Sequence, residues 1–135
     1  MNASQSLINI LGRLLIVALF LPAGISKIGS FEGTVGYFNS LGIPAASLAV
    51  AITILIEVVG SLALLVGYKT KIVAIILAIF TLAASIVGHA YWAAPAEQAF
   101  VAQLLFFKNI AVIGGLLILA TSESGRFSFD GRKSA

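Results

Sequence analysis

The sequence contains no cysteine among its 135 residues, only one histidine, and only 10% charged residues. Without cysteine the chain can form no disulfide of its own, perform no thiol exchange and supply no thiolate to an iron–sulfur cluster. Any redox chemistry therefore needs something bound. A single histidine excludes a haem held by two histidines of one chain and argues against a self-contained zinc or copper site, so no metal is assigned. The net charge of +3 is small, and no basic run interleaved with aromatics points to nucleic acid. Neither a dinucleotide fingerprint nor a nucleophile elbow occurs. Enzymatic activity of this chain by itself is not expected.

What the sequence has in abundance is apolar surface. Hydrophobic residues make up 60% of the chain, whereas soluble domains carry about a quarter of their residues as charges and only about half as apolar ones. A globule of this size could not bury so much apolar area. A lipid bilayer is the solvent that fits. Four stretches of about 20 residues, the length a helix needs to cross about 30 Å of hydrocarbon, run from about Leu7 to Ile28, Ser47 to Gly67, Ile72 to Trp92 and Phe100 to Thr121. They lack the alternation of barrel strands, and lone strands in lipid would leave their backbones unsatisfied. The expectation is an all-α membrane protein of one domain, residues 1–135, a four-helix up-down bundle with a polar tail over 122–135.

The first connector carries Phe31, Val35 and Phe38 at helical spacing after Ser30, a candidate N-cap, and ends in Gly42 and Pro44. A short interfacial helix between the first two spans fits this pattern best, with an irregular aromatic loop as the alternative. Lys69 and Lys71 flank the second connector, and Arg126, Arg132 and Lys133 lie in the tail, while the first and third connectors hold only Glu32 and Glu97. Lysine and arginine are enriched in cytoplasmic loops, so both termini are expected in the cytoplasm. Reading the first span as a cleaved signal peptide is the alternative, opposed by its long apolar stretch and nearly empty basic flank.

Five ionisable residues fall inside the spans: Arg13, Lys27, Glu57, His89 and Lys108. On insertion scales each such charge costs about 2.5 to 3.5 kcal/mol near the bilayer centre, so each should face the bundle interior and find a partner. Arg13 and Lys27 share one helical stripe, and Glu57 shares its face with Thr53, Gly60 and Ser61. Ala74, Ala78, Thr81, Ser85 and Gly88 form a small-residue stripe bordered by His89, and Lys108 keeps company with Ala111 and Gly115. By depth, Glu57 pairs with Lys108 near the midplane, with Asn109 beside them. Lys27 and His89 lie toward the outer surface and Arg13 toward the cytoplasm. A purely structural role for the charges is the competing reading. Three permanent cations against one carboxylate suggest surplus positive charge that would hold a quinone, an oxyanion or a lipid phosphate. Tyr91 and Trp92 fit an aromatic belt at the outer face.

Taken in order, Gly12-Arg13, Gly24, Lys27, Phe31-Glu32-Gly33-Thr34, Leu41-Gly42-Ile43-Pro44, Glu57, Gly67-Tyr68, His89, Tyr91-Trp92, Lys108-Asn109 and Gly114-Gly115 resemble the DoxX family of bacterial and archaeal membrane proteins. The resemblance implies a four-helix inner-membrane bundle and a quinone-linked redox accessory subunit in oxidative or sulfur-compound stress. Such a subunit would work with a membrane or soluble redox partner protein. In that reading Glu57, Lys108 and His89 are the catalytic set and Arg13, Lys27, Asn109 and Trp92 bind the ligand, with quinone as the possible cofactor. A small-anion transporter and a membrane scaffold or chaperone are the alternatives.

Overall fold

The computed structural model describes residues 1–133, so the last two residues of the expected polar tail lie outside it. The order of elements is α1 (Ala3–Gly29), α2 (Phe31–Ser40), α3 (Ala46–Val66), α4 (Thr70–Gly88), a 3₁₀ turn (Tyr91–Ala93), α5 (Ala96–Thr121) and α6 (Phe129–Lys133). Helices α1, α3, α4 and α5 are long and apolar enough to cross a membrane. They follow one another up and down, and α2 is the short helix between the first two.

Local chemistry sets the boundaries. α1 begins four residues earlier than its apolar run because Asn2 accepts from the Gln5 amide at 2.8 Å while the Gln5 side chain accepts from the Asn2 amide at 2.8 Å. This reciprocal capping box satisfies two amides that the first turn would leave unpaired. α2 starts after Ser30, as its spacing suggests, but the Ser30 hydroxyl turns back to donate to the Ser26 carbonyl and caps nothing ahead of it. α3 ends at Gly67, whose φ of 71° is the left-handed conformation glycine accepts without strain. α4 stops at Gly88, short of the expected Trp92. Its last turn is closed by the His89 amide on the Ser85 carbonyl, and Tyr91–Ala93 form a separate turn. α5 starts directly after Pro95 rather than at Phe100, since proline's fixed φ suits a helix start.

The helices pack in chain order, α1 on α3, α3 on α4, α4 on α5, with α2 laid on α3. Their buried stripes meet in one core of Val17, Phe20, Leu64, Ala74, Leu77, Ala78, Leu116 and Leu119. That core lies toward the end carrying the termini. At this end the tail folds back. Asp130 accepts from the Lys69 and Thr70 amides at 2.8 Å each and so caps α4, while its own amide donates to the Gly67 carbonyl. Met1's ammonium pairs with Glu123 at 3.1 Å. At the opposite end an aromatic group of Tyr91, Trp92, Phe106 and Phe107, with centroids 5.2 to 6.0 Å apart, fastens the 3₁₀ turn to α5.

Candidate functional site

The site begins at Gly24, where α1 and α3 come closest. A methyl group there would stand 2.7 Å from Val58 Cγ2 and 3.1 Å from Glu57 Cβ, so only glycine permits this approach. One turn further along α1, Lys27 reaches the buried Glu57, and its Nζ lies 2.8 Å from Oε1. This is an ion pair without the alignment of a hydrogen bond, so Oε1 keeps acceptor capacity. Lys27 Nζ also donates to the Ala23 carbonyl at 3.5 Å, a long contact, which leaves the ammonium with donor capacity to spare.

Around this pair lies a cavity of about 500 Å³, within the range of small-molecule sites. α1 contributes Phe20, Ala23 and Lys27. Tyr37 and Phe38 cover it from α2 and Leu41 from the turn that follows, and Thr53 and Glu57 come from α3. Phe80, Thr81 and Ala84 line it from α4, with His89 at the end of that helix and Asn109 on α5. The walls are mostly apolar, with the polar groups confined to a few positions. One of these is already engaged in part: Thr81 donates to the Leu77 carbonyl at 2.6 Å, while Ser85, one turn further along α4 and outside the cavity lining, donates to the Thr81 carbonyl at 2.7 Å. Tyr37 and Phe38 enter the site from an element whose aromatics the sequence assigned to the membrane interface. The helical spacing of Phe38 with Phe31 and Val35 was the available signal, but it indicated no inward placement, and it did not include Tyr37.

Of the residues singled out in the sequence, Lys27, Glu57, His89 and Asn109 share this cavity. Arg13, Lys108 and Trp92 do not line it. The expected Glu57–Lys108 contact is replaced by Glu57–Lys27. α1 is 27 residues long and meets the middle of α3 at Gly24, near its own end, so it is displaced toward the terminal end and Lys27 comes within reach of the Glu57 layer. Lys108 neighbours Asn109, and the 100° between successive residues turns it off the cavity.

Arg13 is 1% exposed and fully occupied elsewhere. It donates to Asn9 Oδ1 at 3.0 Å, to the Leu64 and Leu65 carbonyls at 2.7 and 3.1 Å, and to the Phe127 carbonyl at 2.7 Å. These carbonyls belong to the last turn of α3 and to the tail, where a cation meets the negative end of the helix dipole. The cations expected to share one interior are thus separated, and the cavity holds a compensated Lys27–Glu57 pair instead of surplus positive charge. Trp92 is 58% exposed and packs edge-on against Tyr91 and Phe106.

The DoxX family model matches residues 8–90. The chain is 36% identical over 121 residues to the inner membrane protein YqjF of Escherichia coli, covering 90% of this chain and 88% of that one. It is 31% identical over 131 residues to the inner membrane protein YphA of the same organism, covering 97% and 94%. A Bacillus subtilis protein named "Putative oxidoreductase CatD" is 31% identical over 86 residues, 64% of this chain and 63% of its own length. No solved structure is significantly similar. With its four membrane-crossing helices and these inner-membrane relatives, the chain is a multi-pass membrane protein and belongs to the DoxX family.

Proposed function

We propose that the cavity binds the headgroup of a quinone and that the protein serves as a quinone-linked accessory subunit to a redox partner. The observation that carries this reading is the compensated Lys27–Glu57 pair set into an otherwise apolar cavity of about 500 Å³. A net-neutral site with a few polar groups suits an uncharged lipophilic carbonyl compound. It suits an anion poorly, because the Lys27 charge is already matched. One relative's name, an oxidoreductase, agrees in kind.

The fit rests on donors and acceptors that the fold leaves available. Lys27 has N–H capacity beyond Glu57 and can donate to a carbonyl oxygen. Among the described residues the Asn109 side chain makes no hydrogen bond, and it offers both a donor and an acceptor. His89 borders the same cavity with an imidazole able to give or take a proton. Glu57, whose Oε1 has no hydrogen-bond donor aligned with it, can hold a proton beside the ligand. When bound, a quinone supplies two-electron, two-proton redox chemistry. Electrons are exchanged with a partner protein, because this chain has no cysteine and no metal-ligating cluster among the described residues. Both termini and the α3–α4 connector lie in the cytoplasm in this arrangement, where Lys69, Lys71, Arg126 and Arg132 follow the positive-inside rule. The cavity then lies toward the outer leaflet.

The test is quinone content and affinity of the full chain purified in mild detergent. Wild-type protein should retain membrane quinone and rebind decylubiquinone after delipidation. Lys27→Met and Asn109→Leu should each weaken binding by about tenfold, the scale of one lost hydrogen bond to a charged or well-placed polar group. A wild-type protein that binds decylubiquinone no better than empty micelles do would overturn the proposal.

A further inference from the structure

Lys108 is used by neither the cavity nor the core. It stands in the middle of the 26-residue α5, about 18 Å along the helix from Ala96 and about 20 Å from Thr121. Those distances put it well inside a hydrocarbon layer about 30 Å thick. It is exposed, and among the described residues it makes no hydrogen bond, ion pair or ring contact. An ammonium facing lipid at that depth requires a countercharge.

The chain's own acids do not supply one. There are five, Glu32, Glu57, Glu97, Glu123 and Asp130. Glu57 is buried and paired with Lys27, Glu32 lies on α2, and Glu97 is in the first turn of α5, about 17 Å along the helix from Lys108. Glu123 pairs with Met1 and Asp130 caps α4. A second copy with the same orientation in the membrane therefore brings no free carboxylate to this level. Packing α5 against α5 would set lysine against lysine. The countercharge has to come from a different chain.

We propose that the Lys108 face of α5 docks a transmembrane helix of another protein that carries an aspartate or glutamate at mid-membrane depth. Leu104, Lys108, Ala111 and Gly115 follow each other at spacings of four, three and four, so they form one face, and all four are exposed. A methyl group built on Gly115 meets nothing within 4 Å, so the backbone of a partner helix can come close beside the lysine. Close approach of the two backbones brings a short carboxylate side chain within reach of the ammonium. The proposal is independent of what the cavity binds, since Lys108 does not line it.

The experiment uses the full chain in phosphatidylcholine vesicles, whose neutral lipid offers no competing net charge. Binding is read by energy transfer to labelled apolar transmembrane peptides with a single central Asp, Leu or Lys. The Asp peptide should bind about tenfold more tightly than the Leu peptide, the scale of one interhelical polar contact in lipid. Lys108→Met should erase that preference, and Lys108→Glu should transfer it to the Lys peptide. Equal binding of the Asp and Leu peptides overturns the proposal, as does a preference that survives Lys108→Met. Lys108-dependent self-association without peptide would assign the face to a second copy and also overturn it. If Lys108→Met loses its helical circular dichroism signal, Gly115→Leu replaces it. That variant fills the face without touching the charge and should weaken the Asp peptide, and unchanged binding would count against the proposal.

Discussion

Lys27 and Glu57, thirty positions apart on α1 and α3, meet at 2.8 Å because Gly24 lets the two helices approach to within van der Waals contact one turn below. The pair links the packing of the bundle to the chemistry of its cavity. Glu57 is 4% exposed, so either charge alone would be left uncompensated in a medium of low dielectric constant.

Breaking the pair from one side should therefore be worse than removing it. Lys27→Met or Glu57→Gln alone should destabilise the protein by about 3 to 5 kcal/mol, whereas the two combined should recover most of the loss. Thermal unfolding in detergent across the double-mutant cycle measures this. A double variant no more stable than the worse single one would contradict a compensated pair.

Gly24→Ala tests the approach of α1 to α3. The added methyl must displace Val58 or part the helices, at a cost of about 1 to 3 kcal/mol for overpacking a close contact. It should also draw Lys27 away from Glu57, so decylubiquinone binding should fall together with stability. Gly29→Ala, where a methyl meets nothing within 4 Å, is the control.

The tail should prove to be a structural part of the bundle. Asp130→Ala removes the acceptor for the Lys69 and Thr70 amides and should cost about 1 to 2 kcal/mol, the range for losing a helix cap. Arg13→Lys should be costly too, because an ammonium cannot reproduce the planar fork that serves Asn9, Leu64, Leu65 and Phe127 together. Unfolding temperature and protease susceptibility of the tail report both effects.

Orientation can be read directly, because a chain without cysteine accepts a single reporter thiol. Ser40→Cys, exposed at the end of α2, should react with a membrane-impermeant maleimide in intact cells. Ser124→Cys, exposed in the tail, should react only after permeabilisation. The reverse pattern would place the termini outside.

The four spans were legible because hydropathy and length are enough to identify a membrane helix. The inward face of α3 was legible as well, because Thr53, Glu57 and Ser61 recur at helical spacing and all are buried. The partner of Glu57 was not. Which cation reaches it depends on how far α1 is displaced along its axis, and that is set by the Gly24–Val58 contact between helices, which one sequence does not record. Arg13 was equally opaque, since all its acceptors but Asn9 are backbone carbonyls that come together only once α3 has ended and the tail has folded back. The Asn2–Gln5 capping box carries a sequence signal, Asn-x-x-Gln ahead of an apolar run, which lies outside a boundary drawn by hydropathy alone.

The return of the tail also has a consequence for biosynthesis. Arg13 is delivered to the bilayer with α1, yet of its acceptors only Asn9 is available then; those at Leu64 and Leu65 arrive with α3 and the one at Phe127 only after α5. The α4 amino terminus waits still longer for Asp130. α1 is thus inserted with its guanidinium largely unserved, and this end of the bundle can lock only after the segment following α5 has been made. A ribosome-bound chain stopped before residue 127 would hold four spans and no clasp.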